Sequence, residues 1–156
     1  MRSQRERSMK PRLLYSSCMA DTFNVEVMVN ARHDAIWNYF IDPQHIVGWN
    51  FASSDWYCPK ATNDFQEGGS FNYRMQARDG SVGFDLIGTY DNIVEHELIE
   101  YTLADGRSVT VTFDPQANNT FITAEIEPET QNSIDVQQRG WQAIFDNFKK
   151  YAEQRG

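Results

Sequence analysis

The chain has little of what metal, disulfide or membrane chemistry requires. Among its 156 residues only Cys18 and Cys58 are cysteines. Two cysteines without a secretion signal make no disulfide framework, so a reducing, cytoplasmic setting is expected. The three histidines, His33, His45 and His96, are not spaced with Cys, Asp or Glu as metal ligands are, and no metal or other cofactor is expected. No stretch approaches the roughly 20 apolar residues of a membrane span. Residues 1–18 lack the apolar core of a signal peptide. Positive charge is also scarce, with 14 Lys and Arg against 22 Asp and Glu, for a net charge of −8. Much of it sits at one end: Arg2, Arg5, Arg7, Lys10 and Arg12 against Glu6 give residues 1–20 a net +4, leaving −12 elsewhere. An acidic body repels phosphate backbones, which excludes nucleic acid as an expected partner. There is no glycine-rich phosphate loop and no nucleophile-elbow serine, so no catalytic residue is assigned.

Aromatic side chains, by contrast, make up 13% of the chain. Such bulk suits a fold that fills or lines a large interior. The length predicts one domain, residues 21–156, behind a disordered basic tail at 1–20. The C-terminal segment is the clearest element. Ile134, Trp141, Ile144, Phe145, Phe148 and Ala152 follow the spacing of one helix face, with charged and amide residues on the rest. Gly140 lies inside that helix. Glycine there costs about 1 kcal/mol against alanine, which suggests close approach of another backbone.

Nearly everything before this helix reads as strand. Phe23, Val25, Val27 and Val29 alternate with polar residues, and Ala35, Ile36, Tyr39 and Phe40 then take helical spacing. Asp42-Pro43 caps and opens a second, short helix. Residues 49–58 read as an irregular aromatic segment. Phe71, Tyr73, Met75 and Ala77 alternate clearly, and Asp79-Gly80 and Asp105-Gly106 are hairpin signals. The Asp79-Gly80 turn sets Arg74 opposite Asp85. The expected architecture is α+β: a curved antiparallel sheet of about six strands, two short helices after the first strand, and a long C-terminal helix across the sheet.

Four segments in this order resemble the START-like, helix-grip (SRPBCC) superfamily, in the branch of the C-terminal domain of Hsp90 ATPase activators. They are Val29-Asn30-Ala31 with Ile36-Trp37; Asp42-Pro43 with Trp49; Gly88 and its strand with Leu98-Ile99-Glu100-Tyr101-Thr102; and Gly140-Trp141 with Ile144 and Phe148. They span residues 23–152. The sequence reads without the separate N-terminal domain through which such activators engage the chaperone. The resemblance implies a helix gripping a sheet, a stress-response context, and a hydrophobic cavity between helix and sheet that binds a ligand, with the segment around Trp49, Trp56 and Tyr57 covering one end. A superfamily of this breadth does not specify a function.

On that footing the expected cavity lining is Trp49, Trp56, Phe71, Tyr73, Met75, Phe84, Tyr101, Trp141, Phe145 and Phe148. These residues either wall a pocket or fill a solid core. Gln137 and Gln138 interrupt the apolar stripe of the last helix, so that end faces either plain solvent or a wet pocket mouth. With Arg74 and Asp85 they are the candidate polar pocket residues, although Arg74 and Asp85 also read as a surface pair. Three functions follow as expectations. The first is non-catalytic binding of a small apolar or amphipathic molecule. The second is a co-chaperone-like interaction module with a chaperone as partner. The third is a polyketide-cyclase-like enzyme using Arg74, Asp85 or Tyr101.

Overall fold

The computed structural model describes residues 22–155; the basic segment 1–20 and Cys18 lie outside them. The elements run β1 (Phe23–Val29), α1 (His33–Ile41), α2 (Pro43–Ile46), β2 (Trp56–Asn63), β3 (Ser70–Ala77), β4 (Gly83–Val94), β5 (Leu98–Leu103), β6 (Ser108–Gln116), β7 (Asn119–Ile126) and α3 (Ile134–Arg155). Seven antiparallel strands form one curled sheet in the order β1-β7-β6-β5-β4-β3-β2. This is the expected α+β helix-grip architecture, with one strand more than the six expected.

The added strand is β2. It contains Trp56, Tyr57 and Cys58, where the sequence shows no strand alternation. Pro59 cannot donate to a ladder and argues against a strand. The sheet tolerates it because β2 is an edge strand and its pairing with β3 shifts register between Tyr57 and Lys60. A bulge at an edge is where a proline can sit.

Local signals account for the other boundaries. Asp42 accepts from the Gln44 N–H at 2.9 Å and caps α2, with Pro43 in the first turn. Ser133 Oγ accepts from the Val136 N–H at 3.2 Å and caps α3. Gly80 and Gly106 take φ of +79° and +96° in the two predicted hairpins, a conformation that favours glycine. The register pairs Arg74 with Asp85, as the turn predicts.

Helix α3 lies along β1, and its polar side chains cover the open edge of that strand. Gln138 and Gln142 donate to the carbonyls of Asn24 and Glu26, each at 2.9 Å, and Lys149 donates to that of Met28 at 2.7 Å. Glu153 accepts from the Asn30 N–H at 2.8 Å. Residues 138, 142, 149 and 153 share one helix face. They act as a substitute strand that satisfies an edge otherwise open to pairing.

The closed part of the core sits where α1 meets β6 and β7 and α3 meets β1, with α2 packed against α1. Phe148 is fully buried against Trp49 (ring centroids 4.9 Å apart) and Phe40 (5.3 Å). Phe113 meets Trp37 and Phe40, each at 5.2 Å. Towards β3 and β4 this packing stops. Gly140 does not mediate close approach: a Cβ there meets nothing within 4 Å. The glycine that does is Gly88, where a Cβ would lie 2.5 Å from the Phe71 ring. Its missing side chain makes room for Phe71 to stack on Tyr73 at 4.6 Å.

Candidate functional site

Between the inward faces of β3, β4 and β5 and the far flank of α3 lies a cavity of about 610 Å³. Strand alternation supplies one wall. Phe71, Tyr73 and Met75 come from β3, Leu86 and Tyr90 from β4, Ile99 and Tyr101 from β5. Opposite them α3 presents Trp141, Ile144 and Phe145, one helical face. Phe40, Trp49 and Asn50 close the end nearest the filled core. Phe84, near the β3–β4 hairpin, is partly open to solvent.

Two polar regions interrupt this lining. On the wall, Tyr73 and Tyr90 bring their hydroxyls to 3.4 Å, and Tyr90 donates to Asn63 Oδ1 at 2.8 Å. Burial drives all three tyrosines of this wall towards the neutral phenol. It raises Tyr73 well above its usual range and Tyr90 to about 12, and it raises Tyr101 too, with the positive charge of Arg107 pulling the other way. Each is a protonated donor at neutral pH. Tyr73 and Tyr101 nonetheless keep accessible surface, which is cavity wall.

The second polar region is the mouth, built by the β5–β6 hairpin and the loop before α3. Arg107, Glu129, Gln131, Asn132 and Gln137 line it. Gln137 is buried and holds the loop: its Nε2 donates to the carbonyls of Glu129 (3.1 Å) and Asn132 (2.8 Å), and its Oε1 accepts from the Glu129 N–H (2.9 Å). A buried amide making three hydrogen bonds to one loop explains the break in the apolar stripe.

A family model described as Activator of Hsp90 ATPase homolog 1-like protein matches residues 30–153. The chain belongs to this family. The Activator of Hsp90 ATPase homolog 1-like match extends from the end of β1 through most of α3, so it contains every cavity-lining residue. An AHSA1-like protein from Aeromonas hydrophila, solved by NMR, is 36% identical over 86% of this chain and 94% of its own, with a TM-score of 0.82. A protein from Cytophaga hutchinsonii is 43% identical over 85% of this chain and 92% of its own, with a TM-score of 0.73. A protein from Chromobacterium violaceum, 20% identical over 85% of this chain and 98% of its own with a TM-score of 0.77, shares the fold. No curated protein matches the chain.

Within this Hsp90-activator-like fold, the expected lining residues separate. Trp49, Phe71, Tyr73, Met75, Phe84, Tyr101, Trp141 and Phe145 reach the cavity, as does Gln137. Five of the expected residues lie elsewhere, Arg74 and Asp85 as the surface pair that is their other reading. Phe148 belongs to the closed core, because its helix position points at Trp49 and Phe40. Trp56 sits on β2 outside the lining and meets Phe84 at 6.0 Å. Arg74 and Asp85 alternate with inward residues, so their 3.6 Å ion pair lies on the outer face beside Lys60, Thr62 and Asn72. Gln138 faces the β1 edge. The sequence reading missed Arg107, whose hairpin position carries no motif but whose place opposite Leu103 follows from the Asp105-Gly106 turn. Among the described residues no three His, Cys, Asp or Glu side chains gather as a metal site, and no helix is long and apolar enough to cross a membrane.

Proposed function

We propose that the chain binds a small apolar or amphipathic molecule, without catalysing its conversion, in the space between the sheet and α3. The observation that supports this reading is the cavity itself. Its volume falls within the range of about 300–1,000 Å³ typical of small-molecule sites, and its wall is aromatic with a few placed polar groups. The test is a thermal-denaturation screen against apolar and amphipathic compounds, run on the native chain and on Ile144→Trp, which fills the space from the helix side. A compound at a hundredfold excess over its Kd stabilises the native chain by about 2.7 kcal/mol. Ile144→Trp removes that shift. No stabilising compound, or equal stabilisation of the filled variant, overturns the reading.

A second reading, a co-chaperone-like module, is favoured by the description of the family to which the chain belongs. An ATPase assay with the chaperone tests it; the absence of both a rate change and capture in a pull-down removes it. The cyclase-like reading rested largely on Arg74 and Asp85 as pocket acid and base. Their outer-face placement leaves it without that pair.

A further inference from the structure

The mouth of the cavity carries an unevenly satisfied set of charges. Glu129 and Arg107 are the two charged residues of the lining. Glu129 is turned into its own loop. Its Oε1 accepts from the N–H groups of Gln131 (2.6 Å) and Asn132 (2.8 Å), and its Oε2 accepts from Asn132 Nδ2 (2.6 Å). These bonds, with a smaller contribution from the nearby positive charge of Arg107, hold its carboxyl below the usual range, ionised and engaged by its own loop.

Arg107 is placed differently. Its Nε donates to Asp105 Oδ2 at 2.8 Å, and among the described residues its two Nη groups have no partner. The side chain is 20% exposed. Register puts it on the inner face: Tyr101 pairs with Val109, and the turn closes with the Leu103 N–H donating to the Arg107 carbonyl at 2.8 Å. Arg107 is therefore the diagonal neighbour of Tyr101 on one face of the sheet, a separation of about 7–8 Å between backbones that long side chains bridge. The effect of the guanidinium charge on the Tyr101 hydroxyl is consistent with that proximity. Tyr101, unlike Tyr73 and Tyr90, has no hydrogen-bond partner for its hydroxyl among the described residues.

We propose that Arg107 and Tyr101 form a head-group site for a carboxylate, so that the molecule taken by the cavity is an anionic amphipath with its acid group at the mouth and its apolar body among the aromatics. The inference rests on the cavity-binding reading above. The guanidinium fork suits a carboxylate, which accepts two parallel N–H bonds. A neutral phenol adds a third donor. The charge of Asp105 is spent on Nε at the solvent side, so the pair is pre-oriented and not closed.

Fluorescence titration with pyrenebutanoate and with its neutral counterpart pyrenebutanol tests this. The native chain binds the acid about tenfold more tightly than the alcohol, the difference expected for one charge-assisted contact. Arg107→Gln weakens the acid about tenfold more than the alcohol and so abolishes that preference. Arg107→Lys retains part of it. Tyr101→Phe, which keeps the ring, weakens the acid more than the alcohol. Equal affinity of the native chain for both probes, or a preference that survives Arg107→Gln, overturns the carboxylate site while leaving cavity binding intact. Failure of both probes to bind overturns the carboxylate site, and the thermal screen above decides cavity binding separately.

Discussion

The tyrosines of the cavity wall show how one residue type serves packing and chemistry together. Tyr73, Tyr90 and Tyr101 give ring surface to the lining, and burial keeps each hydroxyl neutral. That has a consequence for stability. A tyrosine whose folded pKa is raised above its unfolded value of about 10 holds its proton when the unfolded chain releases it. The stabilisation is fully present below pH 10 and is lost as pH rises towards about 12, the value for Tyr90. Urea unfolding at increasing pH is expected to show stability falling in that window. Tyr101→Phe flattens the slope, since its hydroxyl makes no hydrogen bond among the described residues. A pH-independent stability above 10 contradicts the placement of these hydroxyls. At the other end of the scale Glu153 is lowered by its bonds to Lys149 and the Asn30 N–H, so its contribution is lost as pH falls through its depressed folded pKa.

At the scale of elements, α3 does two jobs on two faces. Its apolar face divides between the closed core, through Phe148, and the cavity, through Trp141 and Ile144. Its polar stripe covers the edge of β1. Amphipathic spacing reveals the first face. It does not reveal the second, because an amide that covers a strand edge is the same letter as one that faces water. The double variant Gln138→Ala, Gln142→Ala frees two carbonyls and the Glu26 N–H. It is expected to cost about 1–2 kcal/mol, since the edge regains water contacts, and to speed amide exchange at Glu26. Unchanged exchange there sinks the edge-cover role. β2 shows the same limit from the other side. Pro59 counts against a strand locally, and only an edge position with a register shift makes it acceptable.

The whole molecule is packed unevenly, and that unevenness is testable. Phe148→Ala opens a void in closed packing and is expected to cost about 3–5 kcal/mol by denaturant unfolding. Leu86→Ala removes a side chain that already borders open space. It loses transfer energy without a comparable new cavity, so about 1–2 kcal/mol is expected. Equal large losses at both sites indicate a filled interior.

The succession of elements along the chain, the hairpin register and the long helix could be read from the sequence because each rests on local periodicity and turn chemistry; the pairing of β1 with β7 joins the two ends of the sheet's chain and is not local. The alternation that sends Phe71, Tyr73 and Met75 inward is a property of the strand. It also sends Arg74 and Asp85 outward, a consequence that follows from their own register. What the linear pattern could not settle was the distance between two apolar surfaces. A stripe of Trp, Ile and Phe is the same whether it meets a partner or faces a gap. That depends on how strongly the sheet curls, on Gly88 yielding to Phe71, and on Gln137 tying the loop before α3. In the fold, Phe148 joined the closed core, while Trp141, three and four residues before its cavity neighbours Ile144 and Phe145, lined the space. Phe148 lies two turns, about 10 Å, further along nearly the same side of the helix, so the difference is one of position along a single helix axis against a sheet that bends away from it.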